Sequence, residues 1–98
     1  MASKKLTPVH PGEILLEEMK ERKVTINSLA RALRVPVSRI DEIVKSRRAV
    51  TAETALRLAR YFGTSAQLWL NLQTGYDLAI AQDKLAAAIK REVLPYSA

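Results

Sequence analysis

Apolar residues recur along most of the chain at spacings of three and four, which is the period of an amphipathic α-helix. Polar stretches and prolines divide this pattern into segments, and no stretch alternates with the period of two expected of a strand. The pattern predicts an all-α fold of five to six helices. We expect only residues 1–9 and the final Pro-Tyr-Ser-Ala to be loosely held.

Residues suited to capping predict where these helices begin and end. Pro11 fits the first position of helix 1, and we expect His10 just before it to help satisfy the free amides of that helix. Helix 1 is expected to reach Arg22 or Lys23. The other predicted boundaries are N-caps at Thr25 and Thr51, a left-handed end at Gly63, a Thr64–Gln67 capping box before helix 5, and a weaker sixth helix from Leu85 to Ile89 that ends before Pro95.

Basic residues are concentrated in the middle of the chain. The 98 residues include 16 Lys and Arg against 10 Asp and Glu, a formal charge of +6. Residues 25–60 contain eight basic and three acidic side chains, so five of the six charges lie there, while residues 61–98 are balanced at three and three. A local excess between near-neutral flanks is typical of a nucleic-acid-binding element within a larger frame. A solvated basic surface is the alternative.

The basic segment contains two short helical patterns separated by a turn. Pro36 interrupts the apolar spacing and permits a new helix to begin at or just after it. The inward positions are Ile26, Leu29, Ala30 and Leu33 in helix 2 and Ile40, Ile43 and Val44 in helix 3. Two short helices joined in this way form a helix-turn-helix, which we place at about residues 26–45.

A helical wheel leaves a mixed polar arc on the outer side of helix 3. Its side chains can meet the donors and acceptors of base edges in a major groove, and Val37 can contact a thymine methyl. Residues at the start of helix 2 and the basic cluster after helix 3 can reach phosphates. The predicted DNA-binding residues are Asn27, Ser28, Val37, Ser38, Arg39, Asp41, Glu42, Lys45 and Arg47, with Arg48 in the same basic cluster.

Two acidic residues, Asp41 and Glu42, lie on this otherwise cationic surface. A carboxylate there can accept a hydrogen bond from the N4 amino group of cytosine and repel the phosphates of a misplaced site, which favours specificity over affinity. Alternatively, both residues pair with Lys45, Arg39 or Arg34 and hold those side chains extended. We favour base reading for Glu42, and both interpretations stay open for Asp41.

The fifth helix has more apolar residues than one packed face requires. This excess predicts a second burial surface, and we interpret Trp69, Leu72 and Tyr76 as a homodimer interface, with ordinary core packing as the alternative. Two-fold symmetry would place two recognition helices about 34–36 Å apart and would require a palindromic operator.

Composition argues against several classes of function. The chain has no cysteine, which removes thiolate metal sites, and His10 is its only histidine, which removes metal sites made of a histidine pair. A Ser-His-Asp catalytic triad with any choice of histidine base is removed for the same reason. The three glycines form no phosphate loop. We therefore expect no catalytic residue, metal or cofactor. No stretch is long and apolar enough for a membrane span, so we expect a cytoplasmic protein with no membrane partner.

Two stretches of the chain carry more specific motifs. They read HPGEILLEEM at residues 10–19 and LARALRVPVSRIDEIVKSRRAVTAETALRLARYFGTSAQLWLNLQTGYDL at residues 29–78. Together they resemble the HigA (VapI-like) antitoxin family of the Xre/Cro-C1 helix-turn-helix group, with HPGE and the Leu-Trp-Leu-Asn-Leu-Gln run at 68–73 the most distinctive parts. The resemblance implies a Cro/C1 lambda-repressor-like domain over residues 10–80 and a helical extension over residues 81–98.

The function that this resemblance implies is that of a homodimeric antitoxin, located in the bacterial cytoplasm and associated with the nucleoid. Such a protein neutralises a HigB-type mRNA endonuclease toxin and represses its own operon at a palindromic operator in double-stranded DNA. The implied base contacts are Val37, Ser38, Asp41 and Glu42, with Arg39, Lys45 and Arg47 nearer the DNA backbone. The alternatives are a stand-alone repressor with no toxin partner and an interaction adaptor that no longer reads DNA.

Two positions depart from the family pattern. The family usually has glycine where this chain has Arg34 and Ser46. We expect Arg34 to hold a left-handed turn that glycine would adopt freely, at a cost of about 1 kcal/mol.

Overall fold

Five α-helices make up the part of the chain that this computed structural model describes, residues 8–97, and no strand occurs in that range. The helices are α1 (Pro11–Glu21), α2 (Ile26–Leu33), α3 (Val37–Val44), α4 (Ala52–Phe62) and α5 (Ala66–Glu92). The predicted all-α class is therefore confirmed. Residues 1–7 of the predicted loose N-terminal segment, and Ala98, lie outside the described range.

The helix boundaries follow the local capping chemistry. The side chains of His10, Thr25 and Thr51 accept hydrogen bonds from backbone N–H groups in the first turns of α1, α2 and α4, as predicted. Gly63 ends α4 with φ 74° in the left-handed region, which confirms that prediction as well. Pro36 precedes α3 and provides no side-chain cap.

The fifth helix is continuous over 27 residues, and the sequence predictions were wrong about it in two respects. Its N-cap is Ser65, whose Oγ accepts a first-turn backbone N–H at 3.1 Å. Thr64 instead accepts a hydrogen bond from Nε1 of Trp69 at 3.0 Å. The predicted sixth helix from Leu85 to Ile89 is the last part of α5, because alanine is abundant after residue 78 and no Pro or Gly interrupts the helix there.

A single core lies between the five helices. α1 packs on α3 and α5, α2 packs on α3 and α4, and α4 packs on α5. The buried apolar residues are Leu15, Met19, Leu29, Ala30, Leu33, Ile40, Ile43, Val50, Ala55, Leu58 and Trp69. These contacts fix the inner side of α3 and leave its outer side exposed.

The N terminus of α1 lies directly against the end of α3. A Cβ atom added at Gly12 would lie 1.8 Å from the carbonyl oxygen of Ile43, a distance at which two atoms cannot coexist. The close approach of these two backbones therefore requires glycine at this position.

His10 is buried at this same helix end. Its side chain is 3% exposed, Nδ1 accepts the N–H of Gly12 at 2.9 Å, and its ring meets the Tyr76 ring edge-on at 4.9 Å between centroids. Burial lowers the pKa of His10 below 6.5, although the nearby carboxylates of Asp77 and Glu13 act in the opposite direction. The folded chain thus favours neutral His10 with its Nδ1 lone pair free to cap α1.

We expect this histidine to make the domain less stable in mild acid. Because the pKa of His10 is lower in the folded state, the unfolded chain binds the proton first, and stability falls as the pH drops below 6.5 toward the folded-state pKa. His10→Asn keeps an N-cap acceptor that does not titrate. Urea unfolding at pH 7.5 and 5.0 should therefore show a larger loss of stability for the wild type than for His10→Asn. Equal losses in the two proteins would contradict this assignment.

Candidate nucleic-acid interface

The two helices of the predicted helix-turn-helix are joined by a tight turn. α2 ends at Arg34, which adopts the left-handed conformation with φ 61° and ψ 45°. The N–H of Val35 then donates to the carbonyl of Ala30 at 3.0 Å, and Pro36 leads into α3. The expected left-handed turn at Arg34 is confirmed. Ser46, at the end of α3, likewise has φ 60°, so both non-glycine departures occupy left-handed positions.

The outer side of α3 presents the predicted mixed surface. Ile40 and Ile43 are fully buried, which orients the helix, and Val37 at the margin of the outer side is 46% exposed. Ser38 and Lys45 are also exposed. Asp41 and Glu42 on this outer side, and Arg39 at its margin, are partly buried. Every α3 residue proposed to meet DNA is thus at least partly exposed.

The two acidic residues of α3 are paired with cations. Asp41 Oδ2 lies 3.0 Å from Nζ of Lys45 one turn later, and Glu42 Oε1 lies 2.7 Å from Nη2 of Arg48 beyond the end of the helix. Pairing of Asp41 with Lys45 was one of the two interpretations left open by the sequence. The Glu42–Arg48 pair was not among the pairings considered. Both pairs are partly exposed and so contribute little stability, which leaves their cations available to a stronger anion.

A second set of contacts connects α3 to α4 and α2. Nη1 of Arg39 lies 3.5 Å from Oε1 of Glu53, whose other oxygen is 3.1 Å from Arg57. Nη1 of Arg57 donates to the carbonyl oxygen of Leu33 at 2.9 Å, near the end of α2. Glu53 was not identified from the sequence, because its contact with Arg39 joins two helices across 14 residues of sequence. This ion pair connects the first turns of α3 and α4.

The loop between α3 and α4 carries the remaining basic residues. The N–H groups of Ser46 and Arg47 donate to the carbonyls of Ile43 and Glu42, at 2.9 and 2.8 Å, and continue the last turn of α3. The side chain of Arg47 is exposed and has no ion-pair partner within residues 8–97. Lys45, Arg47 and Arg48 thus form an exposed cationic rim next to the outer side of α3.

At the start of α2, the two predicted phosphate-binding residues differ in availability. Ser28 belongs to a reciprocal capping box: its N–H donates to Oγ1 of Thr25, and its Oγ accepts the N–H of Thr25, both at 3.1 Å. Its backbone N–H is therefore already used within the chain. Asn27 is exposed and is the freer donor of the two.

The residues predicted for a dimer interface do not share one environment. Trp69 is 1% exposed within a single chain and belongs to the core, so the structure supports the alternative of core packing for this residue. Leu72 and Tyr76 are partly buried on the same side of α5. At about 100° per residue, Leu78, Leu85 and Ile89 fall on the opposite side of the helix, and each is at least half exposed.

These features agree with known proteins over most of the chain. The helix-turn-helix family matches residues 15–69. Virulence-associated protein I of Dichelobacter nodosus is 54% identical over 91 residues, which cover 91% of this chain and 82% of that protein. The structure of an addiction module antidote protein of a HigA family from Coxiella burnetii is 47% identical, with a TM-score of 0.88, covering 93% of this chain and 100% of the other. The chain belongs to the helix-turn-helix family, in its HigA branch.

Another HigA-branch structure was solved with DNA. It is the Pseudomonas aeruginosa antitoxin HigA with the higBA promoter, 44% identical with a TM-score of 0.88, covering 92% of this chain and 99% of that chain. Helix-turn-helix antitoxins and regulators are not enzymes, so membership of the HigA branch confirms the expectation that this chain is not one. Within residues 8–97, no helix combines the length and the apolar character needed to cross a membrane.

Proposed function

We propose that this HigA-branch chain is the antitoxin of a type II toxin-antitoxin system, which neutralises a HigB-type toxin and represses its own operon as a homodimer on a palindromic operator. The observation that carries the proposal is the exposed outer face of α3, bordered by the cations Lys45, Arg47 and Arg48. The same fold binds promoter DNA in the antitoxin HigA of Pseudomonas aeruginosa.

In this proposal α3 enters the major groove from its N-terminal end. Val37 and Ser38 meet base edges first, and Asp41 and Glu42 follow one turn later. Arg39, Lys45 and Arg47 bind the phosphates on either side, and Asn27 does so from the start of α2. Phosphates compete for Arg48 and Lys45, and the carboxylates of Glu42 and Asp41 then become free to accept hydrogen bonds from bases.

Dimerisation supplies the symmetry that a palindrome requires. The second apolar stripe of α5, formed by Leu78, Leu85 and Ile89, lies away from the core, and its side chains are 50–55% exposed. We assign a second copy of the chain to this stripe, because residues 61–98 carry three basic and three acidic side chains and two such segments do not repel each other. Leu72 and Tyr76 stay candidate interface residues at the edge of the core.

Two assays test the proposed function. The product of the neighbouring gene should co-purify with this chain, and an electrophoretic shift assay should detect binding to the upstream palindrome. Binding should weaken by about 10³-fold or more between 50 and 200 mM salt if six or more phosphates are contacted. Binding to the palindrome without a toxin partner would favour the stand-alone repressor. Failure to bind DNA at all would favour the adaptor.

The carboxylate of Glu42 should determine specificity. We expect Glu42→Ala to raise affinity for a random duplex, since a negative charge near phosphates is lost, and to reduce the preference for the operator by about tenfold, the size of one base contact. Glu21→Ala removes the same charge from an exposed position on α1 and serves as the control. If Glu42→Ala changes both affinities by the same factor, Glu42 does not read a base.

A further inference from the structure

A glutamine in the middle of α5 is buried, and both its amide oxygen and its amide nitrogen are hydrogen bonded. The side chain of Gln73 is 6% exposed. Its Oε1 accepts the backbone N–H of Val50 at 2.8 Å, and its Nε2 donates to Oδ1 of Asp77 at 2.9 Å. In the sequence, Gln73 stood out only as the last residue of the distinctive run at 68–73 and was assigned no role, although its spacing of four from Trp69 places it on the core side of the helix.

The side-chain oxygen of Gln73 accepts a hydrogen bond from Val50, at the far end of the α3–α4 loop. Val50 is 3% exposed, so its N–H has no access to solvent and needs a partner within the chain. At the near end, the N–H groups of Ser46 and Arg47 are bonded to carbonyls of α3. The loop is thus held to α3 at one end and to α5 at the other, and the basic residues Arg47 and Arg48 lie between these two anchors.

We propose that Gln73 is a positioning residue for DNA binding: its amide fixes the α3–α4 loop so that Arg47 and Arg48 face the phosphates next to α3. Gln73 itself does not touch DNA. The inference rests on the proposed DNA-binding function and extends it to a residue of α5.

The polarity of the contact supports this role. Filling the core at position 73 would require only an apolar side chain of similar volume, whereas the observed amide satisfies one specific backbone N–H across 23 residues of sequence. The second bond to Asp77 fixes which end of the amide faces the loop, since Asp77 can only accept. Asp77 therefore orients Gln73, and Gln73 holds the loop.

Three variants separate positioning from simple stability. Gln73→Met keeps the volume and loses both hydrogen bonds. The double variant Gln73→Glu with Asp77→Asn reverses the donor and acceptor at residue 77 and retains an acceptor for the N–H of Val50. The matched control is Gln67→Met, because Gln67 also donates to an acceptor four residues on, Asn71, yet is exposed and lies away from the loop.

The readout is the slope of log affinity against log salt on operator DNA, at a temperature where circular dichroism shows each protein to be fully folded. Each phosphate contact contributes about 0.9 to the slope, so Gln73→Met should lower it by about 1 to 2 if the contacts of Arg47 and Arg48 are lost. The double variant and Gln67→Met should keep the wild-type slope. A change confined to folding stability would leave all slopes equal.

The possible outcomes are distinct. A wild-type slope in folded Gln73→Met overturns the role of Gln73. If Gln73→Met does not fold, the double variant decides at a temperature where it is folded: the wild-type slope supports the proposal, and a reduced slope rejects it. If the wild-type chain does not bind the operator, the proposed function is refuted. If only a Gln73 variant fails, the proposed function stands and the role of Gln73 is what the result tests.

Discussion

Gly12→Ala is expected to lower the free energy of unfolding by about 3 kcal/mol or more, at the upper end of what overpacking a core contact costs. The new Cβ would lie 1.8 Å from the carbonyl oxygen of Ile43 and 2.7 Å from its carbonyl carbon. Both are backbone atoms of a fully buried residue, so relief requires α1 to move away from α3. Urea unfolding followed by circular dichroism measures the loss.

The same substitution at another glycine should have the opposite sign. Gly75 lies within α5, and a Cβ there would meet no atom within 4 Å. Gly75→Ala should therefore stabilise the chain by about 0.5–1 kcal/mol through the higher helix propensity of alanine. If Gly12→Ala costs less than the Gly75→Ala gain, the close approach of α1 and α3 is not a constraint on the fold.

The close approach at Gly12 also concerns the DNA-binding face. The carbonyl oxygen of Ile43 accepts the N–H of Ser46 at 2.9 Å, so displacing it would alter the turn that leads to Arg47 and Arg48. This gives a physical reason for the HPGE run at residues 10–13. His10 caps α1, Pro11 occupies its first position, Gly12 permits the contact with α3, and Glu13 lies in the first turn.

Features set by neighbouring residues could be predicted from the sequence. N-caps such as Thr25 and Thr51 depend on a hydroxyl and an N–H three residues away. The left-handed turn at Arg34 was expected from the glycine that the resembling family usually has at this position. The buried side of α3 follows from the period of its apolar residues, which is why Ile40 and Ile43 were placed correctly.

Features set by the packing of distant elements could not be predicted in this way. The Glu42–Arg48 pair depends on how the chain turns after α3, and the bond from Val50 to Gln73 joins residues that are remote in sequence. In α5, the sequence indicated two apolar faces but not which of them contacts the rest of the chain. Trp69 was consequently placed on the interface, while the exposed stripe lies on the other side.

That exposed stripe leads to the second prediction, that replacing both Leu85 and Ile89 with glutamate abolishes the proposed homodimer. Each side chain is 50% exposed within one chain, so the folded monomer should lose at most a few tenths of a kcal/mol in stability, on the order of other surface changes. In the dimer, by contrast, each introduced carboxylate would be buried near the same carboxylate of the partner, which destabilises the interface. Light scattering coupled to size exclusion should then report a monomer.

Operator binding should fail along with dimerisation. A dimer binds the second half-site at the effective concentration set by the first, which typically raises affinity by about 10²–10⁴-fold, so the monomeric variant should lose at least about 100-fold. Ala87→Glu is the matched control, because at about 100° per residue position 87 lies opposite the stripe on the same exposed part of α5. It should remain dimeric with wild-type affinity. Tight operator binding by a monomeric Leu85→Glu, Ile89→Glu protein would mean that each α3 reads DNA independently and that the palindrome is not required.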